Sequence, residues 1–121
     1  GIIHAAGSPA GATLYNLTQE IVHEGIATKV KGAINLYDRY RDKNLDFMVF
    51  CSALSAVTGY KGQTIYCAAN AFLDAFASCY TSDKLKLISF CTNFSRTTIT
   101  ISTKKSLCFN FIYFCSFLSF R

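Results

Sequence analysis

With 121 residues, 51% of them hydrophobic, the chain can build one domain around a real core and is too apolar for a disordered segment. Its net charge of +5 does not describe a nucleic-acid binder: residues 1–80 balance six Lys/Arg against six Asp/Glu, and the excess is scattered over Lys84, Lys86, Arg96, Lys104, Lys105 and Arg121 without a basic helical face. Six cysteines with no C-x-x-C pair, and two histidines distant from them in sequence, exclude metal-site spacing, so no metal is expected.

Gly1 to Ala6, GIIHAA, is a short apolar run without alternation, as a strand buried on both faces of a parallel sheet requires. Gly7-Ser8-Pro9-Ala10-Gly11 breaks it. Thr18, followed by Glu20, starts a helix that the spacing of Ile21, Val22, Ile26, Val30, Ala33, Ile34, Tyr37 and Tyr40 extends to about Arg41. Gly25 and Gly32 each weaken that helix by about 1 kcal/mol relative to Ala, which points to a kink or a close backbone approach. A polar turn, Asp42 to Leu45, leads to a second buried strand, Phe47 to Cys51. The loop Ser52 to Gln63 contains Ser, Thr and two Gly. From Thr64 the helical period returns, with Ile65, Ala69, Phe72, Leu73, Phe76 and Tyr80 on one face, and Lys84 to Phe90 reads as a third strand.

Strand, helix, strand, helix, strand predicts α/β architecture with a parallel sheet. In such sheets chemistry collects beyond the carboxyl ends of the strands, where the loops after Ala6 and Cys51 both lie. Tyr66 and Asn70, four residues apart on the second helix, share a face there. A phenol in that cleft can give its proton to a ketone oxygen as hydride arrives, provided a cation lowers its pKa. Taken without further context, a helical tyrosine is more often a packing residue.

The segments GIIHAAG, NLT, KVKGAINL, LDFMVFCS and GQTIYCAANAFLDAF, in this order and spacing, resemble the ketoreductase domain of type I polyketide synthases and the related fatty-acid synthases. These domains belong to the short-chain dehydrogenase/reductase superfamily. The resemblance covers Gly1 to Ser89. It implies a Rossmann-like three-layer parallel sheet, here incomplete. It also implies reduction, by NADPH, of a β-ketoacyl thioester on an acyl carrier protein to the β-hydroxyacyl thioester, in company with other synthase domains. Tyr66 matches the family's proton donor. Lys29, 37 residues earlier, matches its catalytic lysine, and Asn70 its supporting asparagine. Ala6 and Gly7 are the expected cofactor contacts, together with Lys29 and Tyr66.

Three departures bear on activity. The family's carbonyl-polarising serine lies 13 residues before the tyrosine, where this chain has Ala53, with Ser52 one place earlier as the remaining candidate hydroxyl. The segment after HAAG, where many of these domains carry L-D-D, reads Pro9-Ala10-Gly11. The Gly-rich turn that cradles a dinucleotide pyrophosphate is not in the sequence, which opens inside a strand without an initiator Met.

The expectation is therefore a partial ketoreductase domain over residues 1–90. It is followed by an unrelated Thr/Ser/Phe-rich tail over 91–121 whose composition is that of translated AT-rich noncoding sequence. The tail's Leu107 to Phe120 run is too short and interrupted for a transmembrane helix. With no signal peptide and no metal spacing, a cytoplasmic protein with reduced cysteines and no membrane partner is expected. The alternative reading is a non-catalytic remnant of such a domain.

Overall fold

The computed structural model describes residues 1–8, 11–92 and 100–102. The expectations for Pro9-Ala10 and for the Leu107 to Phe120 run lie outside these residues. The elements are β1 (Ile2–His4), a 3-10 turn (Leu14–Asn16), α1 (Gln19–Ile26), a π-helical turn (Ala27–Lys31), α2 (Gly32–Tyr40), β2 (Phe47–Ala53), α3 (Ser55–Thr58), α4 (Thr64–Tyr80), β3 (Lys86–Thr92) and β4 (Thr100–Ser102).

The sheet runs β1-β2-β3-β4. β1 and β2 are parallel, with Ile2 opposite Met48 and His4 opposite Phe50. β2 and β3 are also parallel, from Phe47 opposite Lys86 to Ala53 opposite Thr92. The fourth strand was not foreseen: β4 lies antiparallel to β3, with Phe90 opposite Ile101, so residues read as tail extend the sheet. The third strand likewise begins two residues later than Lys84 and continues past Phe90 to Thr92.

Thr18 starts the first helix as its residue type suggests, its hydroxyl accepting from the Ile21 N–H at 3.3 Å. The helix does not keep one period. A π turn accommodates more residues than an α turn and offsets the side chains beyond it. The buried stripe accordingly passes through Gly25, Lys29 and Ala33. Ile34 and Tyr40, expected on the core face, are each 37% exposed. On α4 the buried residues are Ile65, Ala69, Asn70, Leu73, Phe76 and Ala77. Tyr80 is half exposed, yet its ring packs on Phe76 at 4.7 Å between centroids.

The core lies between this face of α4 and the strands. Met48, Phe50 and Leu87 from the sheet meet Ala33, Leu73, Phe76, Ala77 and Leu85. Phe76 is its aromatic hinge, edge-on to Tyr37 at 5.4 Å and to Phe50 at 5.9 Å. Strand side chains alternate, so Ile3, Phe47, Val49, Cys51, Ile88 and Phe90 face away from α4. Ile3 is 55% exposed and Phe47 38%. The described residues thus supply the sheet and one helical layer, and the second layer of a three-layer fold would cover this apolar face.

Leu73, fully buried, sets a test of this packing. Leu73→Ala is expected to lower the unfolding free energy in urea by about 2–5 kcal/mol. Tyr15→Ala, at a residue 98% exposed, is expected to change it by less than about 0.5 kcal/mol.

Candidate active site

As the crossover between two parallel strands, α4 begins at their carboxyl ends, and Tyr66 sits in its first turn. The loop that delivers it turns twice through positive φ, at Gly59 (70°) and Gly62 (77°), where side-chain-bearing residues are strained. A parallel bridge joins Ala12 to Gln63, so the loop leaving β1 clasps the loop entering α4. The approach is close: a Cβ on Gly11 would lie 3.3 Å from the Gly62 carbonyl oxygen.

Lys29 comes from the π turn of the preceding helix and is only 6% exposed. Its Nζ donates to the Cys51 carbonyl oxygen at 2.7 Å and lies 5.7 Å from the centroid of the half-buried Tyr66 ring, within cation–π range. Burial holds the ammonium below the ordinary lysine pKa, with Cys51 and Asp74 partly offsetting the shift. Asn70 is fully buried, and its Nδ2 donates to the Tyr66 carbonyl oxygen at 2.8 Å. Its own carbonyl accepts from Ser52 Oγ at 3.3 Å. Lys29, Tyr66, Asn70 and Ser52 are therefore brought together in one connected set.

The role of Ser52 differs from that of a cleft hydroxyl. β2 stays extended through Ala53, so Ser52 keeps the side-chain direction of Met48 and Phe50 toward α4. It is 2% exposed. Further along, Asp74 accepts a hydrogen bond from Ser89 Oγ, and Cys91 Sγ lies 3.9 Å from each carboxylate oxygen. Burial pushes the Cys91 thiol pKa up, keeping it protonated. This polar seam ties α4 to β3 and had no separate signature in the sequence. Nor did Ser55, whose hydroxyl is buried without a hydrogen-bond partner among the described residues.

The implied dinucleotide can be tested against these groups. The Lys29 ammonium has donors beyond the one given to Cys51. Ala6 and Gly7 are exposed at the exit of β1, and a Cβ on Gly7 would lie 3.5 Å from Lys29 Cε. A cation beside side-chain-poor backbone suits ribose hydroxyls and close approach of a nicotinamide. These residues fit that end of the cofactor. The pyrophosphate would need the Gly-rich turn that this sequence does not contain.

The family described as KR domain matches residues 1–96, six beyond the boundary expected at residue 90. Among curated proteins, the chain is 39% identical over 77 residues to the 6-methylsalicylic acid synthase of Aspergillus niger, which covers 64% of this chain and 4% of the synthase. Among solved structures, it resembles the first ketoreductase of the tylosin PKS with a TM-score of 0.68 and 35% identity, over 72% of this chain and 19% of that one. A short chain dehydrogenase/reductase family protein matches at TM-score 0.65 and 18% identity, over 73% of this chain and 42% of the other, a likeness of fold alone.

The buried cation sets a pH test. Its folded-state pKa lies below the unfolded one, so between the two values the unfolded chain binds more protons. The destabilising contribution of Lys29 is therefore full below its folded-state pKa and is relieved as pH rises toward the ordinary lysine value. Lys29→Met is expected to be more stable than the parent at pH 7, the advantage shrinking with rising pH in urea titrations. A difference independent of pH would sink this assignment.

Proposed function

The chain belongs to the KR domain family, and from that premise we propose that it is part of an NADPH-dependent reductase that converts carrier-bound β-ketoacyl thioesters to β-hydroxyacyl thioesters. The observation that carries the reading is the buried Lys29 ammonium set between the Cys51 carbonyl and the Tyr66 ring. NADPH, when bound, supplies the hydride. Tyr66 gives its phenolic proton to the oxygen that develops charge, and the Lys29 cation stabilises the phenolate left behind. Asn70 holds the first turn of α4 through the Tyr66 carbonyl. Ala6 and Gly7 border the place where the nicotinamide ribose would rest. The acyl carrier protein and neighbouring synthase domains are the partners this reading requires, and a cytoplasmic setting suits them. Among the described residues, no helix is long and apolar enough to cross a membrane.

Two features limit the chemistry of the chain itself. It spans 4% of the curated synthase it matches, and residues 1–90 alone would lack the turn that binds the pyrophosphate. Ala53 also removes a donor aimed at the developing oxyanion, a loss that typically costs about 10²- to 10³-fold in rate. Ser52, directed toward Asn70, does not replace it. Ala53 favours the second reading, a non-catalytic remnant of a ketoreductase domain.

The two readings part in one experiment. The purified chain with NADPH and a β-ketoacyl thioester is expected to show no NADPH oxidation. Joined to the Gly-rich half of a related ketoreductase, it is expected to turn over slowly. Ala53→Ser should then raise the rate by about 10²- to 10³-fold, and Tyr66→Phe should abolish it. No turnover in the joined Ala53→Ser form would leave the remnant reading standing.

A further inference from the structure

Lys29, which donates to the Cys51 carbonyl, lies in the stretch where its helix widens into a π turn, and a side chain of β1 packs against that stretch. His4, the last residue of β1, is 8% exposed. Its ring stands edge-on to Phe50, with centroids 6.2 Å apart. The other side of the imidazole meets the first helix where the π turn passes into α2. A Cβ on Gly32 would lie 3.0 Å from His4 Nε2 and 3.1 Å from Cε1. Such a distance lies inside ordinary van der Waals contact, so a side chain at position 32 would press on the imidazole and displace it by a few tenths of an ångström.

The backbone bonding at this point is that of the widened turn. The Gly32 N–H reaches the carbonyls of Ala27 and Lys29, not that of Thr28 four residues back, which an α-helix would use. The imidazole pKa is held below the ordinary histidine value, by burial first and then by the Lys29 charge. The carbonyls of Lys29 and Thr28 act on the ring in the opposite sense. A neutral imidazole is thus wedged between the Phe50 ring and the backbone of the turn. Its Nε2 has no hydrogen-bond partner among the described residues, an arrangement a plain aliphatic core residue would fill at less cost.

We propose that His4 is a positioning residue: seated beneath the π turn, it fixes that turn's register and so holds the Lys29 ammonium between the Cys51 carbonyl and the Tyr66 ring. If the turn relaxed to α geometry, the side chains on either side of it would be offset by about 100° relative to one another. The exit of the same strand borders the other end of the lysine, where a Cβ on Gly7 would lie 4.0 Å from Nζ. β1 therefore sets the base of Lys29 through His4 and flanks its tip through Gly7.

This inference rests on reading Lys29 and Tyr66 as the reductase pair, but its test does not pass through turnover. In the full chain, the Lys29 ε-carbon resonance is followed through a pH titration by NMR. His4→Leu, which keeps apolar bulk without the ring, is expected to move the Lys29 midpoint up toward that of the exposed lysines. Gly32→Ala, which pushes the ring from the helix side, is expected to move it the same way. Leu73→Ala, which loosens the core on α4, is the structural control and is expected to leave it in place. Any other pattern overturns the proposal: no shift in the first two variants, or an equal shift in the control. Should His4→Leu not fold, Gly32→Ala against the control decides. A failed reductase reading is separately visible, as no turnover in the joined Ala53→Ser form while Lys29 still responds to His4.

Discussion

A single charged hydrogen bond, from Lys29 Nζ to the Cys51 carbonyl oxygen at 2.7 Å, is the constraint on which the site depends. It is made in a partly buried place, so its strength and the expense of keeping a cation there both rise relative to the surface. Two elements must agree for it to form, the π turn presenting the lysine and β2 carrying the Cys51 carbonyl at the right level, and α4 then brings Tyr66 beside the same ammonium. A chain selected for stability alone would place an apolar residue at this position. The cation is instead kept against its preference for solvent, beside a phenol, at the carboxyl ends of parallel strands, which is a reason to regard the arrangement as chemical machinery inherited from its family.

Much of this was legible in the sequence, and the reasons are local. β2, β3 and α4 are apolar in the pattern their environments demand, and Thr18 caps the first helix with its own side chain, so those elements declare themselves. The pairing of Tyr66 with Lys29 was carried by spacing shared with a family, since no periodicity distinguishes a buried lysine from a solvated one. The π turn had no signature beyond two glycines that weakened the helix; Ala33 is buried as its spacing implied, but Gly25 and Lys29 rather than Ile26, Val30 and Ile34 complete the buried stripe. Gly32 then proved to mark a close approach, to the His4 ring rather than to another backbone. The Cys51 acceptor was invisible because it is a main-chain atom, whose availability depends on where a neighbouring lysine is aimed.

The orientation of Ser52 follows from strand geometry more firmly than from motif matching. A strand that remains extended gives adjacent residues opposite directions, so a hydroxyl displaced by one position is a hydroxyl on the other face. Here that face belongs to α4, and the Ser52 hydroxyl bonds to the Asn70 carbonyl. The substitution at Ala53 therefore separates two properties of the site. Lys29 and Tyr66 stand together, with Nζ 5.7 Å from the ring centroid, while position 53 carries no hydroxyl beside them.

The bridge between Ala12 and Gln63 has a bearing on how such a site can change over time. Because the two loops are joined by main-chain pairing, neither has an independent length. A residue gained or lost between Thr58 and Gln63 would shift the register of the clasp and must be answered in the segment after β1, or the mouth of the cleft opens. Related chains that differ in the size of this mouth should therefore differ in both loops at once, with insertions arriving in matched pairs.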